Sequence, residues 1–86
     1  MKIKKEITPT TEEIEITPPH FRKDGGIHFF KIQSEQEWDT MMVRTANMNP
    51  SIEKVNASLA FGNESEEITE AEYLEALNKA RVILGI

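Results

Sequence analysis

The chain has 86 residues, a formal net charge of -5, 38% hydrophobic residues and no cysteine. That length makes a single domain over residues 1–86 with a small core. The missing cysteines exclude disulfides and thiolate chemistry and fit a reducing cytoplasm. The opening residues Met1–Glu6 carry charge with no apolar run behind them, so neither a signal peptide nor a membrane partner is expected.

In chain order, Glu6-Ile7-Thr8-Pro9 recurs as Glu15-Ile16-Thr17-Pro18. Ile3 and Ile7, then Ile14 and Ile16, have the even spacing of strand faces. Two short strands joined by Pro9-Thr10-Thr11 are expected, with residues 1–11 as a mobile arm the alternative. His20 to Lys23 then approach the turn Asp24-Gly25-Gly26, and Ile27 to Gln33 return as a second strand. Phe29 and Phe30 are adjacent on that return strand, so the pleat sends them to opposite faces.

Ser34-Glu35-Gln36-Glu37 has the form of a capping box, and Trp38, Met41, Met42 and Thr45 follow at helical spacing. These features predict a helix ending near Ala46, with a turn over Asn47-Met48-Asn49-Pro50. Residues 52–61 alternate Val55, Ala57, Leu59 and Phe61 with smaller or polar residues, which predicts a half-buried strand. Thr69-Glu70-Ala71-Glu72 is a second capping box, with Ile68 and Tyr73 placed as a hydrophobic staple. Tyr73, Leu77, Ala80 and Leu84 form its apolar stripe, and Gly85 marks its end. The expected fold is α+β: a small antiparallel β-meander sheet with two helices on one face, in the order β-β-β-α-β-α.

Residues 1–44 sum to -1 and residues 45–86 to -4, so the cations concentrate in the first half. His20 and His28 could face each other across a hairpin, but no third ligand accompanies them and they read as ordinary strand histidines. Glu64, Glu66, Glu67, Glu70, Glu72 and Glu75 lack the ligand order of a calcium loop and read as a solvated helix start. No phosphate-binding glycine loop, nucleophile elbow or zinc-protease motif is present. No catalytic residue, metal or cofactor is therefore expected.

One candidate contact surface remains: Phe21, Arg22, Lys23, His28, Phe29, Phe30 and Lys31, where cations and aromatics interleave. The first expectation is a non-enzymatic module that binds another protein or itself through this surface. The alternative is an accessory protein that holds single-stranded nucleic acid there, with stacked bases and paired phosphates. The chain's acidity weighs against nucleic acid. Trp38, Met41 and Met42 could form a second adhesive patch, but at helical spacing they read as core.

The strand Phe30-Lys31-Ile32, the pair Ala60-Phe61 and the run Glu67-Ile68-Thr69-Glu70-x-Glu72-Tyr73-x-x-Ala76 resemble small uncharacterised proteins of gut bacteria and their mobile elements. The resemblance covers about the C-terminal two thirds of the chain and implies no activity.

Overall fold

The computed structural model describes residues 1–7, 10–45, 50–62 and 64–85. The fold is α+β. Strands β1 (Lys2–Ile7) and β2 (Thr10–Glu15) form a two-stranded antiparallel sheet. β3 (His20–Asp24), β4 (His28–Ile32), β5 (Thr40–Arg44), β6 (Ser51–Val55) and β7 (Ser65–Glu67) form a five-stranded antiparallel sheet in the order β6-β5-β4-β3-β7. A 3-10 helix spans Ala57–Ala60, and the one α-helix among the described residues, α1, spans Glu70–Leu84.

Charge and apolar pattern together set the β1–β2 register. Lys2 stands opposite Glu15 and its Nζ lies 3.4 Å from Glu13 Oε1, and Ile3 stands opposite Ile14. Opposite charges across a strand pair stabilise that register over its neighbours. β1 is thus a paired strand; Thr10 and Thr11, expected in the turn, instead begin β2 opposite Ile7 and Glu6, and Pro9 lies outside the described residues. The β3–β4 turn follows the sequence closely, because Gly25 and Gly26 take φ of 66° and 77°, a region that side chains with a Cβ rarely enter. Ile27 belongs to this turn, so the return strand begins at His28.

The five-stranded sheet is covered on both faces. On one face Phe30, Ile32 and Val55 meet Ile3 and Ile16 of the β1–β2 hairpin and Ala57, Ala60 and Phe61 of the 3-10 segment. On the other face Phe21 and Val43 meet Tyr73 and Ala80 of α1, flanked by Phe29, Ile52, Ile68 and Leu77. The expectation of two helices on one face is therefore corrected. One helix covers one face, and a hairpin with a 3-10 turn covers the other.

Two element assignments change with it. Residues 34–45 hold no helix: Ser34–Asp39 is a loop, and Thr40–Arg44 is β5, paired with both β4 and β6. Val43, which lies off the helical stripe, is fully buried beneath α1. Two ladders of backbone hydrogen bonds and burial on both faces outweigh a helical spacing built from four residues. The turn expected at 47–49 lies outside the described residues. The strand expected over 52–61 stops at Val55, because the Asn56 side chain accepts the Ser58 N–H and starts the 3-10 turn. Side-chain-to-backbone bonds of this kind compete with strand pairing. The turn buries Ala57 and Ala60 and leaves Leu59 outside.

Helix α1 forms as its sequence indicates. Thr69 caps it by accepting the Glu72 N–H at 3.2 Å, and Gly85 closes it in a left-handed conformation. Its stripe is shorter than expected: Tyr73, Ala76 and Ala80 are buried, Leu77 is half-buried, and Leu84 is exposed. Thr69→Ala should cost about 0.5–2 kcal/mol and speed amide exchange over residues 70–73.

Thr40 is the exception inside the core. It is fully buried beside Ile32 and Val55 in register, and its hydroxyl has no hydrogen-bond partner among the described residues. Thr40→Val keeps the shape and removes the unpaired hydroxyl. It should raise stability by about 1 kcal/mol in chemical denaturation.

Candidate functional site

The expected contact surface on β3 and β4 is largely occupied by the chain itself. Phe21 is buried and tilts against Tyr73, with ring centroids 5.5 Å apart. Phe30 is 3% exposed under the β1–β2 hairpin. Phe29, His28 and Lys31 are half-buried, Phe29 against the helix-side core. Both phenylalanines thus have their cover within one chain, and no face of this strand is left in want of one.

The cations of β3 are engaged by β7, whose register sets Glu67 opposite Arg22 and Glu66 opposite Lys23. Lys23 Nζ lies 3.1 Å from Glu66 Oε1 and 4.0 Å from Glu72 Oε2 at the start of α1. The Arg22 guanidinium lies 4.6 Å above the Phe61 ring, and its Nε donates to Ser65 Oγ at 2.8 Å. Ser65 in turn donates its hydroxyl to the Ala60 carbonyl. The acidic run over residues 64–72, read as a solvated helix start, thus supplies an edge strand that neutralises β3.

His20 completes this cluster. Its ring stacks on Phe61 with centroids 6.2 Å apart and planes within 10°. Arg22 Nη1 approaches His20 Nε2 at 3.4 Å, and Glu67 Oε2 lies 3.6 Å from Nδ1. Arginine has only donors, so Nε2 accepts and the ring proton sits on Nδ1, toward Glu67. The histidines do not converge. His20 is opposite Ile32 and His28 is opposite Asp24, about 13 Å apart along the strands at about 3.3 Å per residue. Among the described residues no group of three or more metal-ligating side chains gathers.

A cleft of about 240 Å³ lies between α1 and the β3–β4 turn. Lys23, Lys79, Glu72 and Glu75 line it with both signs of charge, and Phe29 and Ala76 supply its apolar part. It is smaller than the roughly 300–1,000 Å³ of pockets that bury a ligand.

The loop between β4 and β5 is built differently. Asp39 braces it from within: Ser34 Oγ donates to Asp39 Oδ2 at 2.6 Å, and Gln33 Nε2 donates to Asp39 Oδ1 at 3.1 Å. Lys54 of β6 pairs with the same carboxylate at 3.3 Å. The Gln33 N–H donates to the Asp39 carbonyl, and the Asp39 N–H donates to the Gln36 carbonyl. The Ala57 N–H donates to the Glu37 carbonyl at 2.7 Å, which ties the loop to the 3-10 helix. The Ser34 hydroxyl bond, with Lys54 and Gln33 adding to it, holds the Asp39 carboxyl below the usual carboxylate range against a smaller opposing effect of burial.

This braced loop presents Trp38, the chain's only tryptophan, at 66% exposure. Leu59, on the adjoining 3-10 helix, is 55% exposed. The residue read as core is therefore the largest apolar group in solvent. The available signal was the spacing of Ser34 and Asp39, which bond each other across the loop where a capping box pairs residues three apart. Met41 and Met42, its companions in that reading, are half-buried in β5.

No family model, no curated protein and no solved structure matches this chain. No helix among the described residues is long and apolar enough to cross a membrane.

The His20 cluster has a measurable pH signature. Burial, opposed by Glu67 and reinforced by Arg22, pushes the His20 pKa below its ordinary value of about 6.5. The folded state then binds fewer protons than the unfolded chain just below that value, so stability rises with pH in this window. Urea denaturation should show full stability above about pH 6.5 and a decline as pH falls toward the lowered folded value. His20→Gln should flatten that decline.

Proposed function

We propose that this chain is a small, non-enzymatic protein-interaction module that docks a partner through the 33–39 loop, with Trp38 as its anchor. One observation carries the reading: a loop stiffened by side-chain and backbone hydrogen bonds holds an indole 66% exposed. Leaving that ring in water forgoes on the order of 2–3 kcal/mol of apolar burial. Tryptophan is among the residues that dominate binding energy at interfaces, where it fills a partner's pocket. The bracing supports the same reading, because a loop already fixed in its bound shape loses little further entropy on docking.

Other exposed apolar residues support it less. Ile27 and Leu74 stand singly, and isolated exposed apolar side chains are common on soluble surfaces. Val82, Ile83 and Leu84 crowd the last turn of α1, but no hydrogen-bonded scaffold fixes them as the loop fixes Trp38. The reading through the 20–31 hairpin, for protein or for single-stranded nucleic acid, has lost its stacking platform, since Phe21 and Phe30 are buried and Arg22 and Lys23 are paired.

Trp38→Ala separates a docking residue from a structural one. It should change the unfolding free energy in chemical denaturation by no more than about 0.5 kcal/mol, as for a surface substitution. It should weaken binding to a partner recovered with the wild-type chain by at least about 2 kcal/mol. A partner held equally well by both chains, or a Trp38→Ala chain that fails to fold, would refute the reading.

A further inference from the structure

We infer that the cleft between α1 and the β3–β4 turn binds a small zwitterion, a free amino acid with an aliphatic side chain. The cleft lies at the end of the sheet away from the 33–39 loop, so it stands independently of the docking reading.

Size sets the first limit. The cleft holds about 240 Å³. At about 30 Å³ of liquid per water that is room for roughly eight waters, and so for a ligand of about as many heavy atoms. Such a space is too small for a nucleotide or a peptide and large enough for one amino acid. Helix α1 leaves this room because its inner position here is Ala76. The mouth stays open because Gly26 has no side chain, and nothing lies within 4 Å of where one would begin.

Charge sets the second limit. Lys23 and Lys79 line the cleft against Glu72 and Glu75, and the four sum to zero. Lys23 is already matched, by Glu66 at 3.1 Å and Glu72 at 4.0 Å. Glu75 and Lys79 have no ion-pair partner among the described residues. They stand one turn apart on α1, at a spacing where glutamate and lysine commonly pair. One carboxylate and one ammonium of the lining are thus left unmatched. A ligand that carries both charges satisfies the two together. A net anion or a net cation satisfies one and is opposed by the other. Phe29, half-buried against α1, and Ala76 supply the apolar wall, on which an aliphatic side chain leaves water. The ligand carboxylate then meets Lys79, its ammonium meets Glu75, and its side chain meets Phe29.

Free L-leucine is the probe, and the amide chemical shifts of the intact, isotope-labelled chain are the readout. Leucine should move the amides of Phe29, Ala76 and Lys79 saturably, with Kd on the order of 1–10 mM, as befits a small open site. The Trp38 indole should not move. Leucine amide lacks the carboxylate and N-acetylleucine lacks the ammonium, and each should bind at least about threefold more weakly. Lys79→Met should bring leucine down to the level of its amide and leave the amide unaffected. Glu75→Gln should bring leucine down to the level of N-acetylleucine and leave that ligand unaffected. Both residues are exposed on the helix, so neither change should move the melting transition.

No saturable shift by roughly 50 mM leucine would overturn the inference. Equal binding of either blocked form would do the same on the wild-type chain alone, whatever the variants show. So would single variants that weaken all three ligands alike, or shifts that centre on Trp38 in place of the cleft.

Discussion

The structure depends on one strand having to feed two cores. β4 is the central strand of the five, and its adjacent Phe29 and Phe30 point to opposite faces. Each face then needs its own cover, and a chain of this length has little to spend on either. The helix takes one face and lies close because its inner positions are Ala76 and Ala80. The other face is closed by pieces: Ile3 and Ile16 from the hairpin, and Ala57, Ala60 and Phe61 from the 3-10 turn. The adjacency that called for an outside partner is satisfied from within.

Electrostatics follow the same economy. β3 carries His20, Arg22 and Lys23, and β7 brings Glu66 and Glu67 against them. β7 thus hides a basic strand while being too short and too acidic to recruit another strand at its own edge. At the opposite edge, β6 carries Glu53 and Lys54, both exposed. A two-fold pairing of β6 with its copy centred on either residue opposes like charges. Both edges are thus guarded against pairing with a further strand.

What was legible in the sequence were the features in which local chemistry and tertiary demand agree. Thr69, Glu72, Ile68, Tyr73 and Gly85 specify α1 by contacts within a few residues, and it forms where they place it. Asp24-Gly25-Gly26 fixes the β3–β4 turn in the same way. The failures came where the decision lies far along the chain. Thr40–Arg44 is a strand because β4 and β6 flank it, and neither neighbour is visible in its own periodicity. Val55–Phe61 alternates like a strand, yet Asn56 diverts it with a single side-chain bond. The β3 cations looked free because Glu66 and Glu67, more than forty residues later, gave no sign of pairing with them.

Trp38 shows why the candidate site was the least legible part. A tryptophan at helical spacing from two methionines reads as core, and only the loop's internal bonding reverses that. The decisive residue is Asp39, which gathers Ser34, Gln33 and Lys54 on one carboxylate and leaves the preceding side chain, Trp38, outside. The titratable groups at the heart of the two clusters both have lowered pKa values, for different reasons: burial lowers His20, and the Ser34 hydroxyl bond lowers Asp39. A lowered pKa favours the neutral form of an imidazole and the ionised form of a carboxyl. Each group is thereby held in the state its neighbours need, a neutral ring stacked on Phe61 and a carboxylate gathered by Ser34, Gln33 and Lys54. The two clusters lie on different elements and share no residue, so a substitution in one leaves the bonds of the other in place.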